Sequence, residues 1–436
     1  MKNCFIAIIY ALLLIGTNSE NNSYDYSSYN AVSKDTSLSE QTIASSTADQ
    51  SAVYITSSGI TIQDSNIQKT SGDSSNTENS EFYGVNAAIL VQGGGVTITN
   101  GTVTTAARGA NAICATNSGK VTISGTTITS TGASSARGLH ATYGGTITAT
   151  GVTISSNGGS CATLATDRGE GTVTCTGCKL STAGAGSPLI YSTGNITVSQ
   201  TTGTASGAQM VVVEGKNTAI VQNNSNLKCT GVGNRNNVDN CGIFLYQSMS
   251  GDADSGTSIF TCTSSTFEID SSSSVYSSAP MFFITNTDSA INLNDCTFTY
   301  GSGIFLSAKG TSEWGKTNSN GGSVTITLNN QDIEGDFVVD KISSLTIKMV
   351  NSSIKGKINT DNASTNVKVT LDEDSTITLT GNTYITSLTN ADSTGSNINK
   401  GSYTFADNNG NEYTAKGSSS TYISSQLFLL FLLILF

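Results

Sequence analysis

A run of alternating β-branched and polar residues returns about every twenty-five positions through the middle of this 436-residue chain. The first apolar residues of five successive copies are spaced by 25, 26, 26 and 23 residues. A unit this short cannot bury its own Val and Ile side chains, so it is stable only when neighbouring units stack on it. The five residues that mark the copies are Val96, Val121, Ile147, Val173 and Ile196.

Each copy contains three short β-type segments separated by turn residues, as in residues 88–90, 96–98 and 102–104. Three strands per repeat form one coil of a parallel β-helix, in which rungs stack about 4.8 Å apart and like residues align in columns. We therefore predict an all-β fold, a single parallel β-solenoid with 22–26 residues per rung. Val96 and Ile98 begin two predicted interior columns, and small residues predict a tight corner at Ala110, Ala136, Cys161 and Ser187.

The predicted solenoid covers residues 52–390 and has two parts. Regular rungs occupy residues 86–209. From residue 210 to residue 390 the spacing lengthens, so the extra residues must leave the coil as lateral loops. The strands of this second part are expected to start at Ile220, Ile259, Ile291, Val324 and Leu345.

Two of the lateral loops hold the unusual residues of the second part. Tyr246, Asp252 and Asp254 fall in one, and Trp314, the only tryptophan, falls in the other. Loops on a rigid scaffold commonly carry binding residues, so these four are the predicted ligand-binding residues. Asp252 and Asp254 also resemble the start of a calcium loop, although the distal glutamate of such a loop is missing. We predict no cofactor, with calcium at these two aspartates as the alternative.

The two ends of the chain predict export and attachment to a membrane surface. A short apolar run follows Lys2 and ends in small polar residues, which is typical of a signal peptide over residues 1–19. The last ten residues are Leu, Phe and Ile only, behind a polar spacer and a small-residue site, which is typical of a GPI-attachment signal. That signal covers residues 417–436, with attachment at Gly417, Ser418 or Ser419. We expect a flexible lead-in over residues 20–51, a tether over residues 391–416, and a location on the extracellular face of the plasma membrane.

Cysteines and sequons fit a secretory compartment. Cys262 and Cys296 fall in strands of consecutive rungs and are the predicted disulfide. Cys175 is expected to fill an interior column as an unpaired apolar residue, and its CxxC spacing with Cys178 is interpreted as structural because no second pair or histidine partner accompanies it. The single histidine, His140, is predicted to be stacked, packed or solvent-facing. Six candidate N-glycosylation sites begin at Asn21, Asn100, Asn195, Asn223, Asn351 and Asn362.

The charge distribution excludes one class of partner. The formal net charge is −11, and the 20 Lys and Arg residues are scattered along the chain. Nucleic-acid binding proteins concentrate basic residues on one face. We therefore expect no nucleic-acid partner, and contact with a membrane through the lipid anchor alone.

The rungs resemble right-handed β-helix surface proteins of microbes, a pectin-lyase-like group that includes adhesin-like proteins. The resemblance covers about residues 52–390 and implies a right-handed coil, but no particular activity. Pectin hydrolases on this fold use three aspartates with a Gly-His-Gly motif, which is missing here, and Asp167 and Glu170 are nearly the only acids of the regular rungs. The segments that carry the resemblance together with the rungs are Ser187-Pro-Leu-Ile-Tyr-Ser-Thr193, Tyr246-Gln-Ser-Met-Ser-Gly-Asp252 and Ser319-Asn-Gly-Gly322.

Taken together, these features predict a GPI-anchored cell-surface glycoprotein that acts in adhesion or surface recognition without enzymatic activity. Glycans or other cell-surface molecules are the expected partners. A polysaccharide-degrading or carbohydrate-binding pectin-lyase-like protein is the first alternative. Ice binding and a role as a structural coat also stay open, since a column of outward threonines begins at Thr97, Thr122 and Thr148.

Overall fold

The computed structural model describes residues 35–248 and 250–413. These residues form a single parallel β-helix, as predicted, in which each full rung contributes one strand to each of three long parallel sheets. Along the chain, a rung passes first through the sheet that is called sheet 3 below, then through sheet 1 and then through sheet 2. The predicted signal peptide, the predicted attachment signal with Gly417, Ser418 and Ser419, and the sequon at Asn21 lie outside the described residues.

The three long sheets have fourteen, ten and eleven strands, and shorter sheets complete the C-terminal end. Sheet 1 contains Leu38–Ser39, Ile60–Gln63, Gly95–Thr99, Lys120–Ser124, Thr146–Thr150, Thr172–Thr176, Asn195–Ser199, Thr218–Gln222, Thr257–Thr263, Asp288–Asn294, Ser323–Asn329, Ser344–Val350, Val367–Leu371 and Ser387–Asn390. Sheet 2 contains Thr42–Ala44, Asn66–Lys69, Thr102–Thr105, Thr127–Ser130, Thr153–Ser156, Lys179–Thr182, Thr202–Ala205, Asn226–Cys229, Thr266–Ile269 and Thr297–Thr299. Sheet 3 contains Val53–Ile55, Ile89–Gln92, Ile113–Thr116, Leu139–Ala141, Leu164–Thr166, Ile190–Ser192, Val211–Glu214, Ile243–Tyr246, Phe282–Thr285, Ile304–Ala308 and Asp336–Val339. A four-stranded sheet contains Asp332–Glu334, Ser353–Gly356, Thr376–Leu379 and Ile398–Asn399, and a two-stranded sheet pairs Thr383–Tyr384 with Phe405–Ala406.

One α-helix, Thr77–Tyr83, interrupts the strands of the described residues. The Asn76 side chain caps its first turn by accepting the N–H of Glu78, and Gly84 ends it in the left-handed conformation that glycine adopts without strain. Tyr83 packs beside Leu90 and Cys114, so the helix covers part of the outer face of sheet 3. Neither this helix nor any other in the described ranges is long and apolar enough to cross a membrane.

The predicted interior columns are confirmed by the strand register. Val121 pairs with Val96 on one side and Ile147 on the other, and Ile123 pairs with Ile98 and Ala149 in the same way. All are buried. The outward threonines are also in register, since the Cα partners run in one line through Thr61, Thr97, Thr122, Thr148, Thr174 and Thr197.

The expected strand starts of the second part are wrong at two places. Thr197 pairs with Ile220 and Ile196 pairs with Ala219, so Ile220 faces outward in the threonine column. Ile259 is likewise half-exposed, and Phe260 is the buried residue. A shift of the predicted register by one residue moves each side chain to the other face of the sheet. The sequence did not reveal this shift, because the outward position is occupied by an isoleucine in both strands.

Most rungs leave sheet 1 through a residue with positive φ, which leads into sheet 2 and, from Asn330 onward, into the four-stranded sheet. The turn residues have φ between 44° and 65°, a region that asparagine, aspartate and glycine tolerate better than other residues. The residue after many of these turns is a buried Ser or Thr whose hydroxyl accepts a backbone N–H from the rung before, as Thr201 does from Cys178. The corner positions are Asp64, Asn100, Gly125, Gly151, Gly177, Gln200, Asn223, Ser264, Asp295, Asn330 and Asn351.

The coil extends beyond the predicted limits of residues 52 and 390 at both ends. Leu38 pairs with Ile62 and is almost buried, so the first rung includes part of the expected lead-in. At the other end Phe405 and Tyr413 are buried, and the Tyr413 hydroxyl donates to the carbonyl oxygen of Ile385. These residues close the apolar interior of the last rungs, which a flexible tether would leave open to water.

The disulfide Cys262–Cys296 is confirmed. Cys262 lies in a strand of the preceding rung as expected, but Cys296 lies at the corner after its strand rather than in it, and the register partner of Cys262 is Leu293. The prediction that Cys175 is unpaired is wrong: it forms a second disulfide with Cys178, around the corner between sheets 1 and 2. The short CxxC spacing closes across that corner because Cys175 is the last inward-facing residue of its strand and Cys178 directly follows the turn residue Gly177. Four further cysteines of the described residues are buried free thiols: Cys114, Cys161, Cys229 and Cys241.

Candidate functional site

The outer face of sheet 3 carries a column of residues that changes from small to aromatic along the solenoid. In the register, Tyr191 pairs with Val212, Val212 with Phe244 and Phe244 with Phe283. Phe244 is only 3% exposed although it faces away from the interior, because lateral loops cover it. The covered face forms a second apolar cluster, separate from the solenoid core, of Val212, Cys241, Phe244, Phe283 and Trp314 with Tyr191, Val238 and Tyr246 at its margin.

Two of the predicted ligand-binding residues meet in this cluster. The ring centroids of Tyr246 and Trp314 lie 5.2 Å apart, and Phe244 lies 4.5 Å from Tyr246 and 5.2 Å from Trp314. Tyr246 is the last residue of a strand of sheet 3 rather than a loop residue. The loop of Trp314 is held by Asn320, whose side-chain amide donates to the Trp314 carbonyl oxygen at 2.6 Å.

A cleft of about 230 Å³ opens beside these rings. One wall is aromatic, with Tyr191, Phe244, Tyr246 and Trp314. The other residues that line it are largely charged or polar, and they come from rungs and loops that are far apart in the chain: Glu81, Arg137, Ser160, Asp167, Gln209, Asn234, Arg235, Asp239 and Asp252.

A buried ion pair lies at the floor of the cleft. Arg137 Nη1 donates to Asp167 Oδ2 at 2.8 Å, and Glu81 Oε1 lies 3.8 Å from Arg137 Nη2. Burial raises the pKa of the Asp167 carboxyl to about 7, although the Arg137 guanidinium opposes the shift. The carboxyl therefore titrates near neutral pH.

His140 packs under the same ion pair, as one of its predicted placements stated. Its Nε2 lies 3.0 Å from Arg137 Nη1, and its side chain is fully buried. Burial and the neighbouring guanidinium lower the pKa of the imidazole well below its usual value. The ring is thus neutral, and its free nitrogen is an acceptor for the guanidinium.

Glu214 holds two tyrosines of the aromatic wall. The hydroxyl groups of Tyr191 and Tyr246 both donate to Glu214 Oε2, each at 2.7 Å. Burial, with the Glu214 carboxylate beside them, raises the pKa of both hydroxyls well above the usual value, so both stay protonated. The shared carboxylate fixes the two rings relative to each other.

The two aspartates of the calcium alternative have cationic partners. Asp252 Oδ1 lies 3.2 Å from Arg168 Nη2, and Asp254 Oδ2 lies 2.9 Å from Lys216 Nζ. A calcium ion at this loop would have to displace both cations. Across the described parts of the chain, no three His, Cys, Asp or Glu side chains lie close enough together to hold a metal ion. Asp252 lines the cleft and Asp254 does not.

Sequence reasoning missed half of this cleft. Arg137, Asp167 and Tyr191 belong to the regular rungs, which we expected to carry almost no chemistry. Their signal was weak: Arg137 is one of four arginines in the chain, and Glu214 ends a run of three valines where a charged residue is unexpected. Such residues stand out only when the outer column of sheet 3 is known to be covered.

The predicted glycosylation sites lie away from the cleft lining. Asn100, Asn195, Asn223 and Asn351 are exposed, and Asn362 is half-exposed. Asn100 and Asn223 occupy the positive-φ corner between sheets 1 and 2, and Asn351 occupies the equivalent corner between sheet 1 and the four-stranded sheet. An exposed asparagine in a turn is accessible to a glycosyl transferase, so the geometry is compatible with modification at these positions.

Comparison with known proteins identifies the fold class. The family described as the right-handed β-helix region matches residues 33–226, which include the regular rungs and the first rungs of the second part. The chain is accordingly a right-handed parallel β-helix protein, and this class includes the pectin-lyase-like folds. No curated protein and no solved structure matches the chain.

Proposed function

We propose that this chain recognises glycans on or near a cell surface, without chemical turnover, through the cleft on the outer face of sheet 3. Anchoring by GPI and display on the extracellular face of the plasma membrane are parts of the same proposal. The support for those two parts is the order of the terminal segments in the sequence.

The observation that carries the proposal is the pairing of an aromatic wall with a charged floor in one cleft. A sugar ring has an apolar face of C–H groups and an edge of hydroxyl groups. Tyr246 and Trp314 offer flat apolar surfaces for the first, and Arg137, Asp167 and Asp239 offer charged hydrogen-bonding groups for the second.

The state of the carboxylates favours binding over hydrolysis. Cleavage of a glycosidic bond requires one carboxyl group that donates a proton and a second that acts on water or on the sugar. Four carboxylates line the cleft, and each already has a partner: Asp167 has Arg137, Asp252 has Arg168, Glu81 accepts from Ser135 and Asp239 accepts the N–H of Arg235. An arrangement in which every acid is held by a neighbour suits a rigid recognition surface.

Replacing the tryptophan tests the cleft. We expect Trp314→Leu to weaken binding of an array-selected oligosaccharide at least tenfold, since an aromatic contact worth about 1.5 kcal/mol corresponds to about that factor in affinity. Leucine keeps an apolar side chain at the 7%-exposed position, so the loop should stay folded. Binding is measured by calorimetry with the oligosaccharide.

The matched control is Tyr403→Leu, an aromatic residue that is 39% exposed and lies far along the solenoid from the cleft. It should bind like the unchanged protein. Equal affinity of the Trp314→Leu variant, or release of cleaved products from uronic-acid polymers, would contradict the proposal.

The anchoring part has its own test. Treatment of intact cells with a phosphatidylinositol-specific phospholipase should release the protein into the medium, because a GPI anchor is the only covalent tie to the membrane that the sequence predicts. A truncated chain that ends at residue 416 is the control and should be secreted without treatment. Retention of the full-length protein on treated cells, or an intracellular location, would sink this part alone.

The ice-binding alternative draws on the threonine column that includes Thr97, Thr122 and Thr148. Sheet 2 carries a similar outward column at Thr102, Thr127 and Thr153. Outward threonine on two faces is what strand propensity and solubility alone select. The threonine columns therefore do not distinguish glycan recognition from ice binding, and the cleft favours glycan recognition.

A further inference from the structure

Sheet 2 stops in the middle of the solenoid and leaves a slot in its wall. Its last strand is Thr297–Thr299, and the strand that follows in the next rung, Asp332–Glu334, belongs to a separate four-stranded sheet. Everywhere earlier in the coil, consecutive rungs of this wall pair directly. Here two strand edges face each other without a ladder of hydrogen bonds between them.

The slot is closed at both ends by paired rungs. Asn294 pairs with Asn329 on one side, and Ile304 pairs with Asp336 on the other. Between these points the first chain has nine residues, 295–303, and the second has six, 330–335. The longer chain must bow away from the shorter one, which opens the gap.

Two side chains span the ends of the slot. The Gln331 amide oxygen accepts the N–H of Cys296 at 2.9 Å, while its amide nitrogen donates to the Cys296 carbonyl oxygen. At the other end the Tyr300 hydroxyl donates to the carbonyl oxygen of Glu334 at 2.7 Å. The Gln331 side-chain amide thus occupies the place of a peptide group in an intervening strand. The two backbones at this point are therefore far enough apart to hold another strand between them.

The middle of the slot keeps backbone groups turned toward it. Thr297 donates its N–H to Ser265 on the sheet 2 side, so the backbone groups of the next residue, Phe298, turn to the slot. On the opposite edge Ser353 donates to Gln331, which by the same alternation turns the backbone groups of Asp332 to the slot. The Asp332 carbonyl oxygen has only a long contact, 3.4 Å from Gln331 Nε2, which an inserted strand would replace. A strand laid between Phe298 and Asp332 would meet donors and acceptors on both sides.

The dimensions and charge of the slot indicate what fits. Its volume is about 450 Å³. A strand segment of three residues is about 10 Å long, and with a spacing of about 4.8 Å in a layer about 10 Å thick it takes about 480 Å³. The exposed rim contains three acids, Asp295, Asp332 and Glu334. Lys355 pairs with Glu334 at 2.8 Å, so the rim keeps a net negative charge at Asp295 and Asp332, and Phe298 and Tyr300 supply an apolar floor.

We propose that this slot binds an extended peptide segment with flanking basic residues, which adds as a strand between Thr297–Thr299 and Asp332–Glu334. Main-chain hydrogen bonds on both edges supply affinity, and the acidic rim selects Lys or Arg beside the inserted residues. The partner is therefore a protein with a mobile, basic, β-prone segment. This site is separate from the cleft on sheet 3.

The test uses a labelled seven-residue peptide, Lys-Thr-Val-Thr-Val-Thr-Lys, which is blocked at both ends. The full-length protein is titrated into the peptide, and binding is measured by fluorescence anisotropy. We expect saturable binding below about 1 mM, and at least a tenfold loss for Asp332→Lys/Glu334→Lys. Both positions are exposed, so these changes leave the core intact. Asp288→Lys, at an exposed acid on sheet 1, is the matched control and should bind like the unchanged protein.

A second peptide tests the mode of binding. Methylation of alternate backbone nitrogens removes the N–H donors of a strand but keeps the side chains and the charge, so the methylated peptide should not bind. Equal binding of both peptides, unchanged binding to Asp332→Lys/Glu334→Lys, or no saturation at about 1 mM would overturn the proposal. Displacement of the peptide by an oligosaccharide would overturn it too. Trp314→Leu should bind the peptide normally, which separates this result from that of the cleft.

Discussion

Replacement of Asp167 by leucine should lower the free energy of unfolding by about 3–5 kcal/mol, the usual effect of removing one partner of a buried ion pair. The Arg137 guanidinium would stay in the protein interior, where its side chain is 8% exposed, with Glu81 as a partner at 3.8 Å. A guanidinium cannot release its proton to escape that cost. Denaturation in guanidinium chloride at pH 7 measures the change.

Replacement of Arg137 by leucine should lower the free energy of unfolding by less than replacement of Asp167 does. In Arg137→Leu the Asp167 carboxyl is left alone, but burial already raises its pKa to about 7, so it can take up a proton and become neutral. The double variant Arg137→Leu/Asp167→Leu should recover most of the loss, because a matched apolar pair leaves no buried charge. Equal losses in the two single variants would contradict this account of the cleft floor.

Removal of the Cys262–Cys296 disulfide is the second large effect that we expect. The bond joins residues separated by 34 positions, and closure of a loop of that length in the unfolded chain is worth about 4 kcal/mol. Cys262→Ala/Cys296→Ala should lose about that amount of unfolding free energy. Denaturation with and without a reducing agent measures it, and the reducing agent should have no effect at these positions in the variant.

The disulfide Cys175–Cys178 is the internal comparison. Its residues are separated by only three positions, so the same entropic argument assigns it about 2 kcal/mol. Cys175→Ala/Cys178→Ala should thus be the milder variant. The opposite order would mean that the short bond stabilises the folded corner directly rather than restricting the unfolded chain.

The fold could be predicted from the sequence because every rung of a solenoid repeats the same pattern of buried and exposed positions. Val96, Val121 and Ile147 occupy equivalent positions in successive rungs, so spacing alone places them in one column. The places of Cys262 and Cys296 in consecutive rungs likewise predicted the disulfide between them. The spacing failed at Ile220, where an apolar residue sits on the outer face and the repeat carries no mark of the register shift.

The cleft was harder to predict, since its parts lie far apart in the chain. Trp314 stood out as the only tryptophan and Tyr246 through its place in a lengthened rung, and the structure brings their ring centroids to 5.2 Å. Arg137 and Asp167 did not stand out, because a charged residue at a rung corner is ordinarily solvated. They become part of a site only when the helix Thr77–Tyr83 and the later loops cover the outer face of sheet 3.

The positive-φ corner has a consequence for how the molecule would present sugars of its own. Asn100, Asn223 and Asn351 lie on one edge of the coil, five and four rungs apart, or about 24 Å and 19 Å along the axis. That edge joins sheet 1 to sheet 2 at Asn100 and Asn223 and to the four-stranded sheet at Asn351, and it is opposite sheet 3. Oligosaccharides attached there would form a single crest along the back of the solenoid, shielding it from proteases and neighbouring molecules while the cleft stays open on the front.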